Sequence, residues 1–296
     1  MSIDQKRPDA PRALPAVLDH AFRPMFFAAG SWAVVALALW LAMFFGYVQL
    51  PTRFDPLAWH VHEMLFGFVM AAVAGFLLTA IPNWTGRLPV RGYPLAALAG
   101  LWLLGRLACV VSAELPAWLT ILADLAFPTA LLAVAAREII TGRNWRNLLM
   151  TAPLMLFIVA DLLMHLESLS FAVPAGLGWR LALGAPIVLI SVIGGRIIPS
   201  FTRNWLLKRK SPRLPSPPDM LDTAAVALLA TALILWAFLT DHRVTRGAPD
   251  RRRAAQCCAP REMGRYSKLA GATALHPAPR IWLGGCRHGI ARTVCL

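Results

Sequence analysis

The sequence contains little charge and lacks the short motifs that mark several enzyme classes. Only 15% of its 296 residues are charged. It has no CxxCH haem-attachment motif, no CxxC pair, no Walker phosphate-binding loop, no GxSxG nucleophile motif and no GxGxxG dinucleotide loop. Because each motif supplies groups that its chemistry needs, these absences argue against covalently attached haem, nucleotide hydrolysis and hydrolase chemistry.

The alternation of apolar and polar residues that is typical of membrane β-barrel strands is also absent. Instead, 58% of the residues are hydrophobic, the mean hydropathy is +0.59, and the apolar residues form long runs. A run of about 20 apolar residues spans the hydrocarbon core of a bilayer, where every backbone group must find its partner within a helix or a closed barrel. The sequence therefore predicts an all-α, polytopic helical membrane protein with the lipid bilayer as its partner.

Seven apolar runs predict seven transmembrane helices. They span about 25–49, 56–81, 94–112, 116–136, 147–167, 176–199 and 218–240. The segments on one side of these helices contain fourteen Lys and Arg residues, whereas the loops on the other side contain only Arg53. Because basic loops stay in the cytoplasm, we expect a cytoplasmic N-terminus, and a basic face of this kind requires no nucleic acid as a partner. Residues 1–24 are polar and proline-rich and lack the apolar core of a cleaved signal peptide.

The composition changes near residue 243. Residues 243–296 contain 11 of the 29 Lys and Arg residues, two of the 15 acidic residues and four of the five cysteines, and no run there could span a bilayer. One interpretation is a basic periplasmic extension with paired cysteines. We favour out-of-frame translation, because back-translation in a shifted frame yields strings typical of further membrane helix. The predicted domains are a cytoplasmic segment at 1–24, a transmembrane domain at 25–242 and an out-of-frame, disordered tail at 243–296.

Four short blocks stand out: DHAFRPMFF, AWHVHEMLFGF, GFLLTAIPNWTGR and GGRIIPSFTRNW. In this order they resemble the NnrS family of bacterial inner-membrane proteins, over roughly residues 17–242. The resemblance implies about twelve helices, haem and copper as cofactors, and a role in nitric oxide handling or protection against nitrosative stress. Nitric oxide or its iron complexes would then be partners. This chain departs from the family pattern by stopping at seven helices, so we expect a truncated product that is inactive if the missing helices are needed.

The stretch DPLAWHVHE fixes the start of the second helix. Asp55 suits the N-cap and Pro56 the first helical position. His60 and His62 are two residues apart and point about 200° apart on a helix, so they cannot easily bind one metal ion together. We therefore expect the two imidazoles to serve different partners, with Glu63 orienting His60 or moving protons.

A third histidine, His165, is predicted at the same outer side of the membrane. Given the resemblance, a haem between the second and fifth helices, bound by His60 or His62 and by His165, is geometrically feasible. Ionisable groups at membrane depth are costly and usually functional, but an interfacial histidine that bonds to headgroups or neighbouring groups is the alternative. His20 would lie on the cytoplasmic side, as a ligand of a different centre or as an interfacial group.

The remaining candidates accompany the same blocks. Arg87 and Arg196 could donate hydrogen bonds to haem propionates, or could extend to the lipid headgroups. Arg23 adjoins His20, and Met64 shares a helix face with His60. Four further candidates lie at the inner helix ends: Asn83, Trp84, Asn204 and Trp205. Anchoring of aromatic side chains in the membrane interface is an alternative explanation for the two tryptophans.

Two other functions compete with the metal-binding interpretation. A permease could couple transport to intramembrane carboxylates at Asp124, Asp161 and Glu63. Asp124 and Asp161 could otherwise belong to a proton path or bond a neighbouring helix. A membrane-inserted fragment without activity is the third hypothesis. Cys109, a single cysteine in a membrane helix, is most simply a small apolar filler.

Overall fold

The computed structural model of the chain describes residues 15–211 and 220–239, and within these ranges the protein is all-α without strands. Seven helices follow one another: α1 (Phe22–Phe44), α2 (Pro56–Thr85), α3 (Tyr93–Val110), α4 (Ala117–Thr141), α5 (Ala152–Ser168), α6 (Leu177–Lys208) and α7 (Met220–Leu239). Six of them are long and apolar enough to cross a membrane, and α5 is slightly shorter at 17 residues. The prediction of a polytopic all-α membrane protein is thus confirmed.

Several helix ends differ from the sequence prediction, among them the ends of α2 at Thr85 and of α4 at Thr141, and three further differences show local features of the backbone. Helix α1 ends five residues early, because Gly46 adopts a left-handed conformation with φ of 76° just after it. Helix α5 begins at Ala152 rather than 147, since residues 145–151 form a 3₁₀ segment. Helix α6 continues past Pro199 to Lys208. The prediction stopped at 199 because it followed hydropathy, which falls in the polar last turns of this helix.

The start of α2 follows the prediction. The Asp55 carboxylate accepts hydrogen bonds of 3.0 Å from the backbone N–H groups of Leu57 and Ala58, and Pro56 occupies the first turn. Immediately after His62 the helix changes to a π-helical segment at Glu63–Val69 before α-helix resumes. Such segments are rare and occur frequently at functional sites.

Helices that are consecutive in the chain pack together, with α1 on α2, α3 on α4, α5 on α6 and α6 on α7, while α4 also contacts α2 and α5. Short connections reverse the chain direction, so the starts of α2 and α4 meet the ends of α3 and α5 at one end of the bundle. We call this the outer end, because its loops contain the fewest basic residues. There, Ala113 N–H donates to the Pro51 carbonyl over 2.9 Å and joins two loops.

Two glycines allow close approach around the outer end. A Cβ on Gly67 would lie 2.5 Å from the Trp32 indole, and a Cβ on Gly105 would lie 2.9 Å from Asp124 Oδ1. Both distances are too short for a side chain. Helix α1 can therefore approach α2, and α3 can approach α4, only because these positions are glycine. The predicted break near residue 243 and the tail after it lie outside the described residues.

Candidate metal centre

Seven ionisable side chains from four helices meet inside the outer half of the bundle. Each is at most 3% exposed: His62 and Glu63 from α2, Arg106 and Cys109 from α3, Asp124 from α4, and Asp161 and His165 from α5. Each of these residues lies within about two and a half turns of the outer end of its helix. We call this set the buried cluster.

Two imidazoles converge on one carboxylate oxygen. His62 Nε2 lies 3.1 Å from Asp124 Oδ2 and 2.9 Å from Asp161 Oδ1, and His165 Nε2 lies 3.0 Å from Asp124 Oδ2. The Cys109 thiol donates to the same Asp124 oxygen over 3.1 Å. Asp124 Oδ2 is therefore the point at which the two imidazoles and the thiol meet.

Glu63 and Arg106 hold this arrangement from the other side. The Arg106 guanidinium donates to Glu63 Oε2 over 2.9 Å and to Asp124 Oδ1, so it links the two carboxylates. The Trp32 indole N–H donates to Glu63 Oε2 over 2.7 Å, while Glu63 Oε1 lies 3.2 Å from His62 Nδ1. A carboxylate on the far nitrogen of an imidazole fixes the ring's orientation and tautomer, which leaves Nε2 of His62 for a second partner.

The buried cluster is short of positive charge. Its three carboxylates face one guanidinium, which leaves a formal charge of minus two when both imidazoles are neutral. Uncompensated charge in a dry site is costly, so two protons or one divalent cation must balance it. Asp161 Oδ2 is buried and has no hydrogen-bond partner among the described residues. The site therefore has both the charge and a spare oxygen for a cation.

The donor atoms suit a small transition-metal ion. One atom from each of His62, Cys109, Asp124 and His165 lies within 4.8 Å of the others. A tetrahedral ion with bonds of roughly 2.0–2.3 Å holds its ligand atoms roughly 3.3–3.8 Å apart. On binding an ion, the contacts of 3.0 and 3.1 Å to Asp124 Oδ2 would lengthen slightly and the wider separations would shorten. Imidazole with thiolate suits copper or zinc better than magnesium or calcium, which prefer oxygen ligands.

A haem does not fit between His62 and His165. Two axial imidazoles would place the flat macrocycle between their rings, but Asp124 Oδ2 occupies that position. The ring centroids are only 5.4 Å apart, and the Phe54 and Phe66 rings pack on His62 at 4.8 and 4.9 Å. The expected haem between these two histidines is therefore wrong for this geometry, and the reason is the side-chain packing between α2, α4 and α5.

His60 and His62 do point in different directions, as the helix geometry predicts. His60 stacks on Trp40 of α1 with a centroid distance of 4.3 Å, outside the buried cluster, and its Nδ1 is buried without a hydrogen-bond partner in the described part of the chain. The Glu63 carboxylate contacts His62, so the expectation that it orients His60 is wrong, whereas the alternative that it moves protons stays a prediction. Met64 is half-buried against the core.

The other predicted residues lie away from the buried cluster. Exposed His20 packs its ring beside Phe22, and Arg23 donates to the Ala16 carbonyl over 2.6 Å. At the end of the bundle opposite the outer end, Arg87 forms an ion pair with Glu138. Asn83 donates a hydrogen bond of 3.4 Å to the Thr79 carbonyl, and the Trp84 carbonyl accepts one of 2.6 Å from Asn144.

The predicted residues of α6 also lie apart from the buried cluster. Asn204 and Trp205 are exposed in its last turns. Arg196 belongs to the same helix, and its side chain lies outside the described set. Their roles stay predictions.

The sequence analysis does not predict Arg106 or Trp32 and treats Cys109 as a filler. It offers Asp124 and Asp161 for a proton path or for a bond to a neighbouring helix, and both do contact side chains of other helices. A signal for Arg106 was present, since it is a lone cation inside the apolar run 93–110. Cys109 follows it by three residues, so the two share a helix face.

Comparison with known proteins gives one match. The family model described as NnrS protein matches residues 16–273. No curated protein and no solved structure matches the chain. The matched segment extends beyond residue 242, where the sequence analysis places a break, and that break stays a prediction because the described residues end at 239.

Proposed function

Because this chain belongs to the NnrS family, we propose that it is a metal-binding protein of the bacterial inner membrane that handles nitric oxide or protects against nitrosative stress. The metal ion is copper, bound by His62, Cys109, Asp124 and His165. The single observation that carries this proposal is the convergence of four ligand atoms within 4.8 Å, from side chains that are at most 3% exposed. Family membership supports metal binding in general. The donor set suits copper or zinc, and the family resemblance favours copper between the two.

Each neighbour of the four ligands has a role in this proposal. Glu63 holds the His62 ring by its Nδ1, so that Nε2 faces the ion. Arg106 holds Asp124 by Oδ1 and leaves Oδ2 for the ion. Asp161, whose Oδ2 is unpaired among the described residues, would offer a fifth ligand atom or receive a proton displaced by the ion. A bound copper ion would supply one-electron chemistry and a coordination position for a small ligand such as nitric oxide.

Haem is the second cofactor that the family resemblance implies, and we assign it to no pair of residues in the buried cluster. His60 and His20 stay its candidate ligands. His60 has the better case of the two, because its Nδ1 is buried without a partner among the described residues. A haem there would lie at the outer end, against Trp40 and the face of α1.

The permease hypothesis has less support from these contacts. It requires carboxylates that a transported ion or substrate can reach. Instead, Glu63 and Asp124 are tied to Arg106, and Asp161 is tied to His62, in a site where none of them is more than 1% exposed. Fixed, sealed carboxylates favour a bound cofactor over a passing substrate.

Metal analysis of two neighbouring histidine variants tests the proposal. The full chain is purified in detergent from copper-replete cells, with Cys257, Cys258, Cys286 and Cys295 replaced by serine so that no thiol of the tail can bind metal. We expect about one copper per chain, lost in His62→Ala and kept in His60→Ala, since only His62 faces the buried cluster. A protein without metal, or equal retention in both variants, would refute the assignment.

A further inference from the structure

A small void lies next to the buried cluster, between it and the outer surface. Its volume is about 10 Å³, and its walls include Phe54, Ser112, Thr120, His165 and Ser168. A cavity of this size holds about one water molecule. Because His165 belongs both to the void and to the candidate metal centre, anything in the void lies beside the metal ligands.

Thr120 contributes to the lining of the void a hydroxyl group that makes no hydrogen bond among the described residues. Its side chain is 1% exposed, and its Oγ1 has no hydrogen-bond partner within the described residues. A buried hydroxyl without a partner is costly, and valine would fill the same space without that cost. The orphaned hydroxyl therefore points to a hydrogen-bonding occupant of the void.

The void is roofed by a loop that is tied down. Arg53 N–H donates to Ser112 Oγ over 2.9 Å, Thr52 Oγ1 lies 3.1 Å from the same oxygen, and the Arg53 guanidinium donates to the Leu115 carbonyl. Beneath the loop, the Phe54 ring covers His62 and lies 5.3 Å from His165. This roof limits the occupant to a very small molecule. An ion would have to lose its hydration shell to enter a void of this size, and that loss is costly.

We propose that this void binds one uncharged molecule of two or three atoms, with the Thr120 hydroxyl as its hydrogen-bond partner and the metal ligand His165 as its neighbour. Water occupies it in the metal-free protein. The extension to a diatomic ligand such as nitric oxide, bound beside the metal, rests on the proposed function.

A second void provides a matched comparison at the opposite end of the bundle. It also measures about 10 Å³ and is lined by Leu78, Thr85, Val134 and Glu138, among others. Its hydroxyl is satisfied, because Thr85 Oγ1 donates to the Ile81 carbonyl over 2.9 Å. The two voids are equal in size, but the second has no hydroxyl without a partner among the described residues. Val134→Leu, which fills the second void, therefore controls for the effect of filling any void of this size.

The first experiment needs no metal. Radiolytic labelling of the metal-free full chain modifies side chains next to bound water, and peptide mass spectrometry compares Phe54 with Phe157, which is 0% exposed. We expect Phe54 to be labelled at least tenfold faster than Phe157 in the parent protein and in Val134→Leu. Thr120→Leu, which fills the void, should lower Phe54 labelling to the Phe157 level. Equal Phe54 labelling in Thr120→Leu and the parent would overturn the proposal.

The second experiment uses nitric oxide as the probe on copper-loaded protein, with binding followed by loss of the copper(II) electron paramagnetic resonance signal. Thr120→Leu should weaken nitric oxide binding at least tenfold with copper content unchanged. Thr120→Val keeps the shape and loses one hydrogen bond, which corresponds to about a fivefold effect. Unchanged affinity in both variants would overturn the diatomic ligand. Failure of the parent to bind copper would refute the proposed function instead, and the labelling result would still decide the void.

Discussion

Asp124 Oδ2 lies 3.0 Å from His165 Nε2, on the neighbouring helix α5. The same oxygen accepts a hydrogen bond from the Cys109 thiol and contacts His62 Nε2. One atom of α4 therefore joins side chains from α2, α3 and α5. Interior sites of this kind are stable only when their charges are balanced, and the balance here depends on a few replaceable groups.

Arg106 is the first of these groups. Arg106→Met removes the cation that faces Glu63 and Asp124, so two buried carboxylates lose their common partner. We expect the free energy of unfolding to fall by about 3–5 kcal/mol, measured by denaturant titration in detergent. Arg87→Met is the control. Its half-exposed pair with Glu138 should contribute about 0–1 kcal/mol, and equal losses in the two variants would contradict the account.

Gly105 controls the approach of α3 to α4. In Gly105→Ala the new methyl group would meet Asp124 Oδ1 at 2.9 Å and Asp124 Cα at 3.1 Å, which pushes the carboxylate away from its partners. We expect copper affinity to fall at least tenfold in a chelator competition. Gly100→Ala on the same helix has no atom within 4 Å of its Cβ. It should leave affinity unchanged and stabilise the helix by about 1 kcal/mol. Equal affinity in both variants would contradict the claim.

Glu63 tests whether the neighbours of the ligands tune the ion. Glu63→Gln keeps the shape and the indole hydrogen bond of Trp32, but removes the charge beside His62 Nδ1 and Arg106. We expect copper affinity to fall about 10–100-fold in chelator competition. Glu138→Gln, which alters a carboxylate at the opposite end of the bundle, should have no effect. An unchanged affinity in Glu63→Gln would show that Glu63 does not position His62.

The tail gives a genetic prediction. If residues 243–296 are out of frame, the coding DNA contains a one- or two-base shift near codon 243, and its repair restores nitrosative-stress tolerance that the present chain does not confer. DNA sequencing and complementation measure these outcomes. An uninterrupted reading frame in independent isolates would contradict the prediction.

The helices could be read from the sequence because lipid requires long apolar runs, and Asp55 with Pro56 set the start of α2 locally. The helix ends could be predicted less well from the sequence: α1 ends early before Gly46, and α6 continues through polar residues. These ends depend on single backbone conformations that hydropathy does not report.

The site was only half visible for a different reason. His62 and His165 could be selected as costly groups in a membrane, and their helix positions put both at the outer end. Their common partner Asp124 lies 62 residues from one and 41 from the other, so the contact depends on how α2, α4 and α5 pack. The close approach at Gly105 and the π-helical turn at Glu63 fix that packing, and neither has a clear sequence signal.

X-ray absorption at the copper edge tests the central claim most directly. The sample is the copper-loaded chain in which the four tail cysteines are serine. We predict one sulfur ligand at about 2.3 Å together with scattering from two imidazoles. In Cys109→Ser the sulfur contribution should disappear while the imidazole pattern remains. A spectrum without sulfur, or a sulfur signal that persists in Cys109→Ser, would contradict a metal centre at His62, Cys109, Asp124 and His165.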